Sequence, residues 1–156
     1  MNIVAIRPLV EHQICGDFIG IEKLENSKML LLNNGKEVTV FDPDTEKTIP
    51  KLFKLDFISK RKEKEFARAC EKVCFKTPNG MTYKIENNII VQIDSKNKRR
   101  IIDPESENTK DKSFKYEIYD LVVAGEDENK VFFVGKRSYN EYLNQGLFRS
   151  LVIDFE

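Results

Sequence analysis

VTVFDPDTEK, Val38–Lys47, decides how this chain is read, because a counterpart lies sixty-one residues on in RRIIDPESEN, Arg99–Asn108. The match runs without a gap from Ile21–Ile58 onto Thr82–Tyr119, and ten of the 38 aligned pairs are identical. They include Lys23/Lys84, Glu25/Glu86, Asn26/Asn87, Asp42-Pro43 against Asp103-Pro104, and Phe53-Lys54 against Phe114-Lys115. Pairs such as Leu32/Ile93 and Phe41/Ile102 keep their apolar character. About two or three identities are expected by chance for average composition. The pattern is read as an internal duplication, two related units at about 21–58 and 82–119 within one compact domain, 1–156.

Each unit reads as an antiparallel meander. Lys28–Leu32 faces Glu37–Phe41 across Asn33-Asn34-Gly35-Lys36, a hairpin signal because Asn and Gly accept positive φ. Val38 and Val40 alternate with Glu37 and Thr39, which gives that strand one buried and one wet face. Asp42-Pro43-Asp44-Thr45 is turn chemistry, since an Asp side chain accepts backbone N–H groups and Pro presets φ. The same four residues also fit the first turn of a helix, with Asp42 as N-cap and Pro43 after it. Leu52–Ile58 follows as a strand or as the lead into a helix. In the second unit, strands are expected near Met81–Ile85, Ile89–Ile93 and Arg99–Ile102, and Pro104–Lys112 as a polar loop.

Outside the units, Asn2–Ile6 reads as a strand and Ile14–Ile21 as one kinked by Gly16 and Gly20. Phe114–Ala124 and Val131–Val134 form a hairpin through Gly125–Lys130, and Leu147–Phe155 is a last strand. Ser138–Asn144 is expected as a short helix closed by Gly146. A weaker third echo, Lys72–Phe75 against Lys130–Phe133, brings a propeller to mind. Its period of about sixty residues is long for a blade, and the copies are too few to close a ring.

Ser59–Phe75 carries the main helix signal. Ser59 can cap it, and Phe66, Ala69, Cys70 and Val73 fall at the i, i+3, i+4, i+7 spacing of one apolar face. Lys60, Arg61, Lys64, Arg68 and Lys72 fall opposite. The predicted fold is therefore α+β and β-dominated, two related meanders with one amphipathic helix between them.

Composition narrows the function classes. The chain of 156 residues is 40% hydrophobic and 33% charged, enough for a core and too apolar for disorder. Its apolar runs are too short to span a membrane as a helix, and no basic region precedes an apolar core at the start. Three cysteines at irregular spacing make no disulfide framework, which points to a reducing, cytoplasmic setting. His12, Cys15, Cys70 and Cys74 are of the types that hold structural zinc. The second pair lacks the two-residue spacing, however, and Cys70 lies on the apolar stripe, so buried thiols are the preferred account.

No catalytic residue, metal or cofactor is expected. No GxSxG elbow, Gly-rich phosphate loop or cysteine-protease signature is present, and neither acidic cluster has the glycine that an EF-hand loop requires.

Charge is zero overall but unevenly spread. Met1–Glu46 has four basic and eight acidic residues, and Lys47–Lys76 has ten basic and four acidic. Lys60, Lys64, Arg68 and Lys72 make a four-spaced ladder whose like-charge contacts each cost a helix about 0.2–0.5 kcal/mol. An anionic partner would offset that cost, and Lys96, Lys98, Arg99 and Arg100 would extend the patch. The leading expectation is a small non-catalytic protein that binds another protein through its surface, of inhibitor, immunity or accessory-subunit type. Lys60, Arg61, Lys64, Arg68, Lys72, Arg99 and Arg100 are the candidate binding residues. The runner-up is nucleic-acid binding through the same basic residues, and a third reading is a zinc-stabilised binding domain.

Overall fold

The structure, a computed structural model, describes residues 3–8, 17–23, 28–35, 37–54, 74–102, 115–125, 128–138 and 144–155. Among these residues the regular elements are twelve strands in three antiparallel sheets of four. A front sheet runs in chain order through β2 (Gly20–Lys23), β3 (Leu30–Asn33), β4 (Glu37–Asp42) and β5 (Lys47–Lys54). A back sheet does the same through β6 (Cys74–Lys76), β7 (Thr82–Glu86), β8 (Ile89–Ile93) and β9 (Arg99–Ile101). The third sheet has the order β1-β12-β11-β10, with β1 at Ile3–Pro8, β10 at Lys115–Ala124, β11 at Lys130–Ser138 and β12 at Asn144–Phe155.

That third sheet is the middle layer, and its sequence says why. Leu121-Val122-Val123-Ala124 and Val131-Phe132-Phe133-Val134 are apolar at every position, the mark of strands covered on both faces. Because strand side chains alternate, each run divides its residues between two cores. Leu121, Val123, Val131, Phe133, Leu147, Leu151 and Ile153 pack with Met81, Tyr83, Ile90 and Ile102 of the back sheet and its flanks. Val122, Ala124, Phe132, Val134 and Phe148 pack with Phe18, Ile21, Leu30, Leu32 and Phe41 on the front side. In that second core, the Phe41 and Phe148 rings meet edge to face at 5.0 Å and 86°, and Phe132 closes on Phe41 at 5.9 Å.

Alternation breaks once, at a bulge. Glu117 and Ile118 oppose Lys136 and Gly135, whereas Asp120 opposes Val134, which leaves Tyr119 as the extra residue. The shift lets Ile118 share a core with Leu121, three positions on. It also presses the Glu117 carbonyl against Gly135, where a Cβ would overlap that oxygen. Position 135 thus has no room for a side chain.

The turns use the chemistry their residues offer. Asn33 Oδ1 accepts from Gly35 N at 2.7 Å, and Gly35 has φ of 93°. Asp94, the aligned residue of the second unit, likewise accepts from Lys96 N at 2.9 Å. Asp42 Oδ1 accepts from Asp44 N at 2.9 Å and the Asp42 carbonyl from Glu46 N at 2.8 Å, so the Asp-Pro stretch is a turn between β4 and β5. Asp103-Pro104 lies outside the described residues.

The α+β expectation is corrected. Among the described residues there is no helix, and every regular element is a strand. Cys74 and Phe75, placed at the end of the Ser59–Phe75 helix, are strand, pairing with Lys84 and Tyr83. Residues 59–73 lie outside the described residues. Of the short helix at Ser138–Asn144, Ser138 and Asn144 are strand residues that pair with each other across the β11–β12 hairpin. The two meanders do not share one core between them either, since a third sheet separates them with its own two faces.

Candidate interaction surface

The two outer sheets each turn one face to the middle layer, and the pairing register tells which residues face away. In the back sheet, Phe75, Tyr83, Ile85 and Ile90 pack inward, so the rows between them point outward. One row is Cys74, Lys84, Val91 and Ile101, directly opposed across four strands. The next is Lys76, Thr82, Ile93 and Arg99. Glu86 and Ile89 complete the face.

The result is an apolar strip with cationic flanks. Val91 is buried and Ile89 and Ile93 are half-buried, whereas Ile101 is 46% exposed, the one large hydrophobic side chain so exposed among the described residues. Lys76 and Arg99 are exposed and Lys84 is half-buried. Arg99 forms an ion pair with Glu86 across the face, so Glu86 offsets part of that charge. Both aromatic rings of this sheet, Phe75 and Tyr83, lie on the inner side.

Local electrostatics hold the β8–β9 turn. Asp94 Oδ1 accepts from Lys98 N and Lys96 N, each at 2.9 Å. Those N–H groups, the Lys98 one foremost, hold the Asp94 carboxyl below its ordinary range despite some desolvation, with Arg100 and Lys98 adding charge. Under the sheet, Tyr83 is fully buried and its hydroxyl accepts from Gln92 Nε2 at 3.0 Å. Burial pushes the Tyr83 phenol above its usual range, and Glu128 adds to the rise while the Gln92 bond opposes it. On the front sheet, Lys28 and Asp44 form an exposed ion pair of 2.7 Å that lowers the Asp44 carboxyl, chiefly through its hydrogen bond.

Of the residues expected to bind, Arg99 lies on this outer face, and Arg100 pairs with Gln92 on the inward row, half-buried. Lys60, Arg61, Lys64, Arg68 and Lys72 lie outside the described residues, as do His12, Cys15 and Cys70. Cys74 is an exposed thiol on β6. Among the described residues, no group of three or more His, Cys, Asp or Glu side chains could hold a metal ion. No helix there is long and apolar enough to cross a membrane.

Lys76, Lys84 and Ile101 were not expected at a surface site. Ile89-Ile90-Val91 is apolar at consecutive positions, so the sequence reveals two apolar faces without revealing which one stays open. No protein-family model matches this chain, and no curated protein or solved structure shows significant similarity to it.

Proposed function

We propose that this chain is a non-catalytic cytoplasmic protein that binds another protein through the outer face of its back sheet. The observation that supports this reading is the apolar strip of Ile89, Val91, Ile93 and Ile101 flanked by Lys76, Lys84 and Arg99 on one face of the back sheet. An apolar centre with a charged rim is the usual anatomy of a protein-recognition surface. Nucleic acid fits it less well. Single strands are held by stacking bases on aromatic rings, and the rings of this sheet face inward. The duplication of the meander units belongs to the same proposal: a copied unit supplies two outer sheets, of which one is basic.

The test is capture of partners from nuclease-treated lysate of the source cells, with wild type and a Lys76→Glu/Lys84→Glu variant compared side by side. A protein retained by wild type and lost by the variant supports the reading. Retention by both directs attention away from this face. In parallel, labelled DNA and RNA are titrated at about 50 and 200 mM salt. Tight binding that falls steeply with salt would instead establish the nucleic-acid reading, with Lys60, Arg61, Lys64, Arg68 and Lys72 as the first residues to reverse.

A further inference from the structure

We infer that the free edge of β9 takes up an extended acidic segment of a partner protein as a fifth strand of the back sheet. This rests on the protein-binding reading and specifies its partner. In an antiparallel ladder, residues alternate between those whose backbone groups point to the neighbour and those whose groups point away. Ile102 N donates to the Ile90 carbonyl at 3.0 Å, and Asp94 N donates to the Lys98 carbonyl at 3.1 Å. By that alternation, Arg100 also turns its backbone groups toward β8, while Arg99 and Ile101 turn theirs outward. Among the described residues, nothing pairs with that side of β9.

Of the five other edge strands, four are blunted, and the fifth, β6, lies at the far side of the back sheet. Pro8 lies in β1, and Pro50 lies in β5 at its register shift, each removing a donor. On β2, Ile21 N donates to Asp120 Oδ2 at 3.0 Å, and on β10, Ile118 N donates to Asn88 Oδ1 at 3.2 Å. Among the described residues nothing covers β9 in this way, and its exposed Ile101 supplies an apolar contact beside the open backbone groups.

Charge selects the occupant. Lys96, Lys98, Arg99 and Arg100 surround the edge, whereas the nearby carboxylates are engaged, Asp94 by the turn and Glu86 by Arg99. Edge-to-edge pairing with a second copy would set arginine against arginine, a cross-strand arrangement that opposes association. An incoming strand with Asp or Glu at alternate positions meets the complementary charge, and main-chain bonding supplies the rest of the affinity.

The experiment uses backbone NMR of the full chain and a synthetic peptide of alternating Glu and Val, seven residues long. A Lys-Val peptide of equal length is the charge control. The expected result is saturable binding of the Glu-Val peptide at submillimolar concentration, centred on Arg99 and Ile101, with slowed amide exchange at both. Ile101→Pro removes an outward N–H and leaves the Ile102–Ile90 bond in place, so its spectrum stays dispersed and its affinity falls at least about tenfold. Lys96→Glu/Lys98→Glu keeps every backbone donor and inverts the preference toward the Lys-Val peptide. Absence of binding at millimolar peptide, equal binding by a folded Ile101→Pro variant, or shifts centred elsewhere would each overturn strand addition. If the lysate partner is meanwhile lost on Lys76→Glu/Lys84→Glu, the protein-binding reading stands and only its mode is wrong.

Discussion

Gly135 and Tyr83 show how single residues hold this architecture. The Glu117 carbonyl occupies the space a Cβ would need at position 135, and it belongs to backbone, which cannot swing aside. Gly135→Ala should destabilise the chain by at least about 2–3 kcal/mol, at the upper end of what overpacking costs, as read by denaturant unfolding. Tyr83→Phe is a subtler change. It leaves the buried Gln92 amide without its acceptor, a loss of about 1–3 kcal/mol at neutral pH. The phenol also couples stability to pH. Its folded pKa is raised, so its contribution is complete below the unfolded value of about 10 and drains away as pH rises through the folded value. Unfolding curves at pH 7 and above pH 10 should therefore lie closer together in the phenylalanine variant than in wild type. At this scale, the sequence was legible where chemistry is local: Asn33 and Asp42 bond their own turns as their residue types require. Gly135 was not, because its need arises from a bulge in another strand.

Elements are decided by which faces are covered. The hairpin of β10 and β11 was readable from its uninterrupted apolar runs, and β7, β8 and β9 were readable as the counterpart of the first unit's strands. The ungapped match brings β2, β3 and β4 onto the neighbourhoods of β7, β8 and β9, down to the paired Asx turns of Asn33 and Asp94. Cys74 and Phe75 depart from the expected Ser59–Phe75 helix, whose apolar spacing is supported only from Phe66 to Val73. In the fold, Phe75 turns toward the cores and its neighbours turn outward, a period of two rather than 3.6. The β8–β9 turn offers a prediction for an element. Asp94→Ala removes the acceptor of two N–H groups, so hydrogen exchange at Lys96 and Lys98 should accelerate while amides of β7 keep their protection. Acid should mimic the variant. The folded Asp94 pKa is lowered, so its contribution is present above the ordinary carboxylate range and is lost as pH falls through the folded value.

For the whole molecule, the order of layers matters more than the number of strands. The uninterrupted apolar runs of β10 and β11 mark strands covered on both faces, but no local pattern reveals which sheets cover them, because those partners are distant in sequence. The two cores share few side chains, with Phe75 packing against both. Leu121→Ala in one core and Phe148→Ala in the other should each cost about 2–5 kcal/mol. Their combined effect should equal the sum within about 0.5 kcal/mol, provided unfolding stays a single transition, and calorimetry on the double variant checks both points.

The middle layer also fixes a schedule. During synthesis the front and back strands leave the ribosome before β10, β11 and β12, so two sheets are made before the surface that joins them exists. β1 is made before all of these and waits longest, since its partner β12 is the last strand completed. Until then the nascent chain carries two half-built apolar faces with nothing to cover them. Stalled chains ending before Lys130 should be held by chaperones or degraded, and release of the full-length chain should be followed by abrupt rather than gradual gain of protease resistance.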